Sequence, residues 1–444
     1  MTERSDRLPT KILLAFGAPG FPLAALTVPL YIYLPAFYAD EMGLGLAAVG
    51  GILLAARLWD VVIDPAIGIL SDRWTSRIGR RRPWLIAGTP LALIAVYQLF
   101  LPAPGVGNGY LLVWTMALYL AWTILLLPYY AWAAELSPDY HERARITGFR
   151  ESFVILGTLA AAGLPALHGG RATGADALSL LAQLMMVALP IAIALTVIVV
   201  PDSPPPRLPS PAAAGAPGRW RAIAENRPFR RLIAAYLLNG LGNGLTATLF
   251  TLFASHVVRV PEQTGALLFV YFLAGILSVP FWLWLSRRLG KHRAWALSLV
   301  WSCIWFAGAP LLGAGDLAWY ALISVMTGIG LGADLTLPSA MQADIVDVDT
   351  LGSGARRAGL YFALWTMATK LALAIAVGIA FPLLELAGFD PARDNAGAAL
   401  TTLALLYAAV PVLLKLATTA LVWNYPLDAA AHAAIRQRLE VTAP

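Results

Sequence analysis

The sequence predicts an all-α membrane protein: twelve transmembrane helices in two pseudo-symmetric six-helix bundles, with both termini in the cytoplasm. Three observations carry this expectation: an apolar composition, a series of apolar runs of bilayer length, and basic residues that fall almost entirely on one side. Of the 444 residues 59% are hydrophobic and 13% charged, and mean hydropathy is +0.71. A soluble domain is about 25% charged, so the composition excludes a cytosolic enzyme. It equally excludes a disordered scaffold, a collagen and a coiled coil. The single Cys303 and five scattered His leave no basis for a disulfide framework or a zinc module.

A spanning helix needs about 20 apolar residues. Such runs occupy 13–37, 46–70, 83–103, 110–134, 149–168 and 176–200, then 231–257, 263–286, 293–314, 316–342, 358–385 and 398–424. The first lacks a small-residue cleavage site and reads as a span. With the N-terminus inside, 25 of the 31 Lys and Arg residues fall in cytoplasmic segments. That asymmetry is a topology signal, and it disposes of nucleic-acid binding as the meaning of the +6 net charge. Residues 1–200 form the first bundle, 201–230 a Pro-, Ala- and Gly-rich cytoplasmic linker, 231–424 the second bundle and 425–444 a cytoplasmic tail.

An echo relates the two halves. The loop after span 2 contains Gly68, Asp72, Arg73, Arg77, Gly79, Arg80, Arg81 and Arg82, and the loop after span 8 reads Ser286-Arg287-Arg288-Leu289-Gly290-Lys291-His292-Arg293. Short Gly-plus-basic turns at matching points suit an internal duplication. The first of these loops resembles the cytoplasmic latch of the major facilitator superfamily. Asp72, Arg73 and Arg80 are accordingly expected at a cytoplasmic gate. Arg150 and Glu151 at the start of span 5 either join that gate or pair locally.

A charged side chain at mid-bilayer costs about 2.5–3.5 kcal/mol on insertion scales, so each needs a partner or a task. Span 2 carries Arg57, Asp60 and Asp64, on one face at i, i+3 and i+7. Arg57 neutralises at most one carboxylate, which leaves a surplus acid of the kind a cation or proton site requires. In the second half Lys370 lies too deep in span 11 to snorkel. Lys415 in span 12 is expected to snorkel, and Asp334 in span 10 serves packing, gating or coupling.

These residues resemble one family. The string Arg57-Leu-Trp-Asp60-Val-Val-Ile-Asp64-Pro65, then Gly68, Asp72-Arg73, Pro128-Tyr129, Glu142-Arg143-Ala-Arg145, Ala343-Asp344-Ile-Val-Asp347 and Lys370, is similar to the glycoside–pentoside–hexuronide:cation symporters of the major facilitator superfamily. The likeness is to melibiose-permease-like chains and covers nearly the whole sequence. It implies the major facilitator fold and alternating access. It also implies a cation (H⁺ or Na⁺) at Asp60, Asp64 and Thr123, with no other metal or cofactor. Lys370 would link cation to substrate, and Tyr130 would offer an aromatic face to it. Where the sugar transporters of the family carry a charged pair in span 1, this chain has Phe21-Pro22. Leu126 and Ile63 likewise replace polar groups.

The expected activity is therefore cation-coupled symport of a glycoside or related small organic solute, with Arg57, Asn239 and Asn243 among the candidate cavity residues. The alternative cargo is an amphiphile such as a lysophospholipid, since the family resembles the animal sodium-dependent lysophosphatidylcholine symporters. A membrane enzyme would need an acid–base set, and no HExxH, GxSxG or GxxxxGKS/T string occurs. A monomer in a bacterial inner membrane, in contact with lipid and its substrate and not with nucleic acid, completes the expectation.

Overall fold

The computed structural model describes residues 7–27, 30, 33–167, 174–202, 223–353, 357–390, 395 and 397–442. Most of the expected linker, 203–222, lies outside them. Helices account for nearly all of the described chain: α1 (Thr10–Gly17), α2 (Gly20–Ala25), α3 (Leu46–Arg73), α4 (Arg82–Phe100), α5 (Asn108–Leu136), α6 (Tyr140–Leu167), α7 (Gly174–Val199), α8 (Arg227–His256), α9 (Thr264–Leu289), α10 (Lys291–Phe306), α11 (Leu317–Ser353), α12 (Ala358–Leu386), α13 (Ala398–Ala404), α14 (Val410–Trp423) and α15 (Ala429–Thr442). Among the described residues nine helical segments are long and apolar enough to cross a membrane. Helices suit that setting because each satisfies its own backbone polar groups.

The three remaining expected spans are α1–α2, α3 and α6. The first is broken because Pro19, Pro22 and Pro35 interrupt its run, and a π-helical turn, Phe37–Glu41, closes it. Helix α3 is apolar apart from the charges expected of it. Helix α6 starts nine residues before the apolar run at 149, so Glu142-Arg143-Ala-Arg145 is helical and not loop. Helix α11 likewise continues to Ser353, past the apolar run, and carries Asp344 and Asp347. Hydropathy marks only the part of a helix that lipid would touch, which is why both ends were placed short.

By its internal contacts the chain divides into two units, one comprising residues 1–214, 350–364 and 439–444 and the other 215–349 and 365–438. In the first, α3 and α4 pack on α5, α4 on α7, and α2 on α6. Phe16, Tyr129 and Trp132 form an aromatic knot in its core, with ring centroids 4.8 and 6.2 Å from Phe16. In the second, α8 and α10 pack on α14. Phe253 stacks on Tyr407 at 4.2 Å, and the Tyr320 and Tyr407 hydroxyls are 3.0 Å apart.

Two backbone approaches fix the first unit's polar parts. Gly68 of α3 and Gly359 of α12 meet so closely that a Cβ on Gly68 would lie 2.7 Å from the Gly359 carbonyl oxygen, and one on Gly359 would lie 2.5 Å from that of Gly68. Small residues permit such close helix contacts in membranes. Gly79, in the turn before α4, has φ +118°, and a Cβ there would lie 1.7 Å from Asp202 Oδ2. Gly43 is left-handed too (φ +71°), with nothing within 4 Å of its Cβ position. Gly79→Ala should therefore lower the melting temperature clearly more than Gly43→Ala, whose cost is backbone strain alone, about 1 kcal/mol. Equal losses in thermal unfolding would show that the Asp202 contact does not constrain this turn.

Asp202, just beyond α7, accepts a hydrogen bond from the Arg81 amide at 3.4 Å. Burial raises its pKa above the usual carboxylate value, with nearby Glu135 adding to the rise against the Arg81 amide and Arg82. A carboxyl raised in this way stabilises the fold while protonated and loses that contribution as pH climbs through its folded pKa. Asp202→Asn should thus stabilise the fold at neutral pH, by less than roughly 1 kcal/mol for a half-buried group, read as a higher melting temperature. The gain should fade as pH falls toward about 4; melting curves across that range read it directly.

Candidate functional site

Asp60 and Asp64 sit one helical turn apart on α3, and α5 packs against that face. Both are buried, at 3% and 1% exposure, so neither faces lipid. Thr123 of α5 reaches between them, its Oγ1 2.8 Å from Asp64 Oδ1 and 3.3 Å from Asp60 Oδ1. A hydroxyl has one proton to give, and the shorter contact assigns it to Asp64. Its lone pairs remain to join the carboxylate oxygens around a cation. The donors are all hard oxygens, the chemistry of Na⁺ or of a proton and not of a soft transition metal. No group of three or more His, Cys, Asp or Glu side chains among the described residues has metal-binding geometry. Pro65 within α3 has no N–H to donate to the Val61 carbonyl, one residue past Asp60. Arg57, on the same helix, lies 5.4 Å over the Tyr119 ring.

The expected latch lies at the cytoplasmic end of the same helix and is larger than its sequence suggested. Asp72 caps α12: Oδ1 accepts from the Gly359 amide at 2.8 Å and Oδ2 from Leu360 at 3.0 Å. A carboxylate there satisfies amides that the helix leaves open and meets the positive end of its dipole. Arg81, fully buried, donates to Asp72 at 2.9 Å and to Glu135 at 2.6 and 3.1 Å, and its Nη1 reaches the Ser71 carbonyl and hydroxyl at 3.1 Å. Burial works against its charge, yet Glu135 and Asp72 together hold its pKa above the ordinary guanidinium value. Arg80 lies 3.4 Å from Glu135 and bonds the Asp72 carbonyl. Burial, and then the charge of Arg81, lower its pKa. Arg73 is exposed. The residues that patterning missed are Arg81, which looked like one more positive-inside arginine, and Glu135, an acid on α5 with no local motif.

Arg150 and Glu151 pair locally, with Arg150 Nε donating to Glu151 Oε1 at 3.0 Å. The Arg150 guanidinium also lies 4.0 Å over the Tyr130 ring, whose edge meets Phe362 at 6.1 Å. One face of Tyr130 is thus covered by a cation. Lys370 sits midway along α12 and is half-buried.

Asn239 and Asn243 point their amides at Asp334 and Lys415. Lys415 does not snorkel: at 9% exposure it is drawn into the helix packing by oxygen acceptors. A second basic residue read as loop charge, Lys291, is completely buried and lies 2.6 Å from Asp344 Oδ2. His432 of the tail helix α15 meets Asp347 at 2.9 Å.

Comparison with known proteins identifies this architecture. A family model described as MFS/sugar transport protein matches residues 15–429. An uncharacterised symporter of Synechocystis is 26% identical over 98% of this chain and 97% of its own length. The sodium-dependent lysophosphatidylcholine symporter 1 of Xenopus tropicalis is 25% identical over 94% of this chain and 87% of its own. The sphingosine-1-phosphate transporter MFSD2B of the same species is 25% identical over 85% and 80%. Among solved structures, the major facilitator transporter FucP in its outward conformation superposes with a TM-score of 0.65 at 14% identity, over 91% of this chain and 98% of that one. A bacterial homologue of the iron transporter ferroportin gives 0.63 at 16%, over 97% and 99%. At such identities these two establish the fold alone. The chain is a multi-pass membrane transporter of the major facilitator fold, not an enzyme, and it belongs to the MFS/sugar transport protein family.

Proposed function

We propose that this protein is a secondary active symporter that couples a cation gradient to the movement of a small organic solute by alternating access. The observation that carries the reading is the pair of buried carboxylates on α3 sharing the Thr123 hydroxyl. Two acids away from water are stable when a mobile cation or proton joins them. A site that must be filled before it can cross the membrane is the element that coupling needs. Within this reading Asp60, Asp64 and Thr123 bind the cation. Lys370, Tyr130 and Arg57 serve the substrate, whereas Asn239 and Asn243, expected beside them in the cavity, have their amides engaged by Asp334 and Lys415. Asp72, Arg73, Arg80, Arg150 and Glu151 serve the cytoplasmic gate. Relatives named as sodium-dependent favour Na⁺ over H⁺. The finer kinship with glycoside–pentoside–hexuronide symporters, a monomeric state and a bacterial inner membrane belong to the same proposal.

A glycoside is one cargo. An amphiphile is the second, and a specific feature favours it: Phe21, Pro22, Ile63 and Leu126 stand where, by the resemblance, the family's sugar transporters carry polar groups. A site that bonds hydroxyls depends on those groups. The relatives named as lysophosphatidylcholine and sphingosine-1-phosphate transporters point the same way.

Uptake into proteoliposomes, with a panel of glycosides and lysolipids under imposed Na⁺ or H⁺ gradients, tests both points. Asp60→Asn and Asp64→Asn should each abolish gradient-driven accumulation while folded protein remains in the membrane. Thr123→Val should weaken apparent cation affinity about tenfold, as loss of a hydrogen bond to a charged group does. Normal accumulation by both aspartate variants would remove the cation site from α3.

A further inference from the structure

The second unit holds a buried charge pair for which the coupling scheme has no use. Asp334 on α11 receives three hydrogen bonds from neutral groups. Asn239 Nδ2 and Trp295 Nε1 each donate to Oδ1 at 2.7 Å, and Asn243 Nδ2 donates to Oδ2 at 2.8 Å. Lys415 on α14 faces the other end of the same two amides, its Nζ donating to Asn239 Oδ1 at 3.0 Å and to Asn243 Oδ1 at 2.7 Å. The ammonium is only 3.7 Å from Asp334 Oδ2, too long for a direct hydrogen bond. The polarity of both amides is set by charge: turned over, each would aim its NH₂ at an ammonium and its oxygen at a carboxylate.

Two features distinguish this cluster from a simple salt bridge. The carboxylate takes its direct hydrogen bonds from Asn and Trp, so the lysine supplies charge and not hydrogen-bond satisfaction. The ammonium, for its part, is surrounded by three oxygens, two amide and one carboxylate, from helices α8 and α11. That is the ligand set of a small monovalent cation, with the cation supplied on a side chain.

We propose that the Lys415 ammonium is a tethered cation occupying a monovalent-cation site built from Asp334, Asn239 and Asn243. An ion attached to the chain neutralises the membrane-embedded carboxylate but does not cross the bilayer, so this carboxylate contributes no mobile charge to transport. Taking the side chain away leaves an oxygen cage with a net negative charge. The N···O distances of 2.7–3.0 Å are those of N–H donors to oxygen, so the cage should accept ammonium or methylammonium. Asn243 is exposed on this unit's surface and offers a way in. The inference does not depend on Asp60 or Asp64, and the test silences both.

In the Asp60→Asn/Asp64→Asn background, full-length Lys415→Ala protein is melted in detergent with increasing methylammonium chloride or choline chloride. Lys415→Ala should lower the melting temperature, and methylammonium should restore most of the loss with saturation while choline does not. The background with Lys415 intact should show no such response. Lys415→Ala/Asp334→Asn, which removes both charges, should be stable without added cation and indifferent to it. Should Lys415→Ala yield no folded protein in choline, recovery of monodisperse protein during purification in methylammonium supports the site, and failure in both salts overturns it. An equal effect of methylammonium with and without Lys415, or no effect beyond choline, also overturns it.

Discussion

Negative charge held out of water on α3 is the constraint around which the first unit is organised. Each buried carboxylate opposes the hydrophobic drive that inserts the helix. Asp60 and Asp64 share one hydroxyl, that of Thr123, which gathers their carboxylates on one face of the helix. The close crossing of Gly68 and Gly359 lies one turn beyond Asp64 along the same helix, and Asp72 follows one turn later as the cap of α12. One helix thus carries the cation candidates, a close backbone contact and the cap of α12 in sequence.

The second unit meets the same physical difficulty differently. Asp334 is as deep in the apolar sequence as the acids of α3, yet its neutralising cation is covalently attached. Burying such a pair gains little over apolar packing, and the two asparagines bridge it, each donating to Asp334 and accepting from Lys415, while Trp295 adds a third donor to the carboxylate. The contrast between the two clusters is chemical: the carboxylate of one lies beside a lysine ammonium, and the carboxylates of the other share a threonine hydroxyl.

Much of this was legible in the chain. The apolar runs and basic asymmetry predicted a twelve-span helical membrane fold, and the i, i+4 spacing of Asp60 and Asp64 placed both on one face before any coordinates. Thr123 came from the family resemblance, and the structure brings it between them. Charges whose partners are distant in sequence were not legible. Lys415 looked like a residue that would reach for the membrane surface, because nothing near it in the sequence announces Asn239, Asn243 or Asp334. Arg81 and Lys291 were counted as topology signals, while burial against Glu135, Asp72 and Asp344 makes them structural. Helix ends were set too short wherever polar residues extend a helix beyond lipid, as in α6 and α11. Local pattern reports period and polarity; it does not report which distant helix a side chain will meet.

The most direct measurement is cation occupancy itself: radioactive Na⁺ binding to the purified protein at equilibrium, with proton release followed in the same sample. One saturable cation per chain, bound in competition with protons, is expected if the α3 carboxylates hold the coupling ion. Absence of saturable Na⁺ binding together with absence of any proton exchange would contradict it.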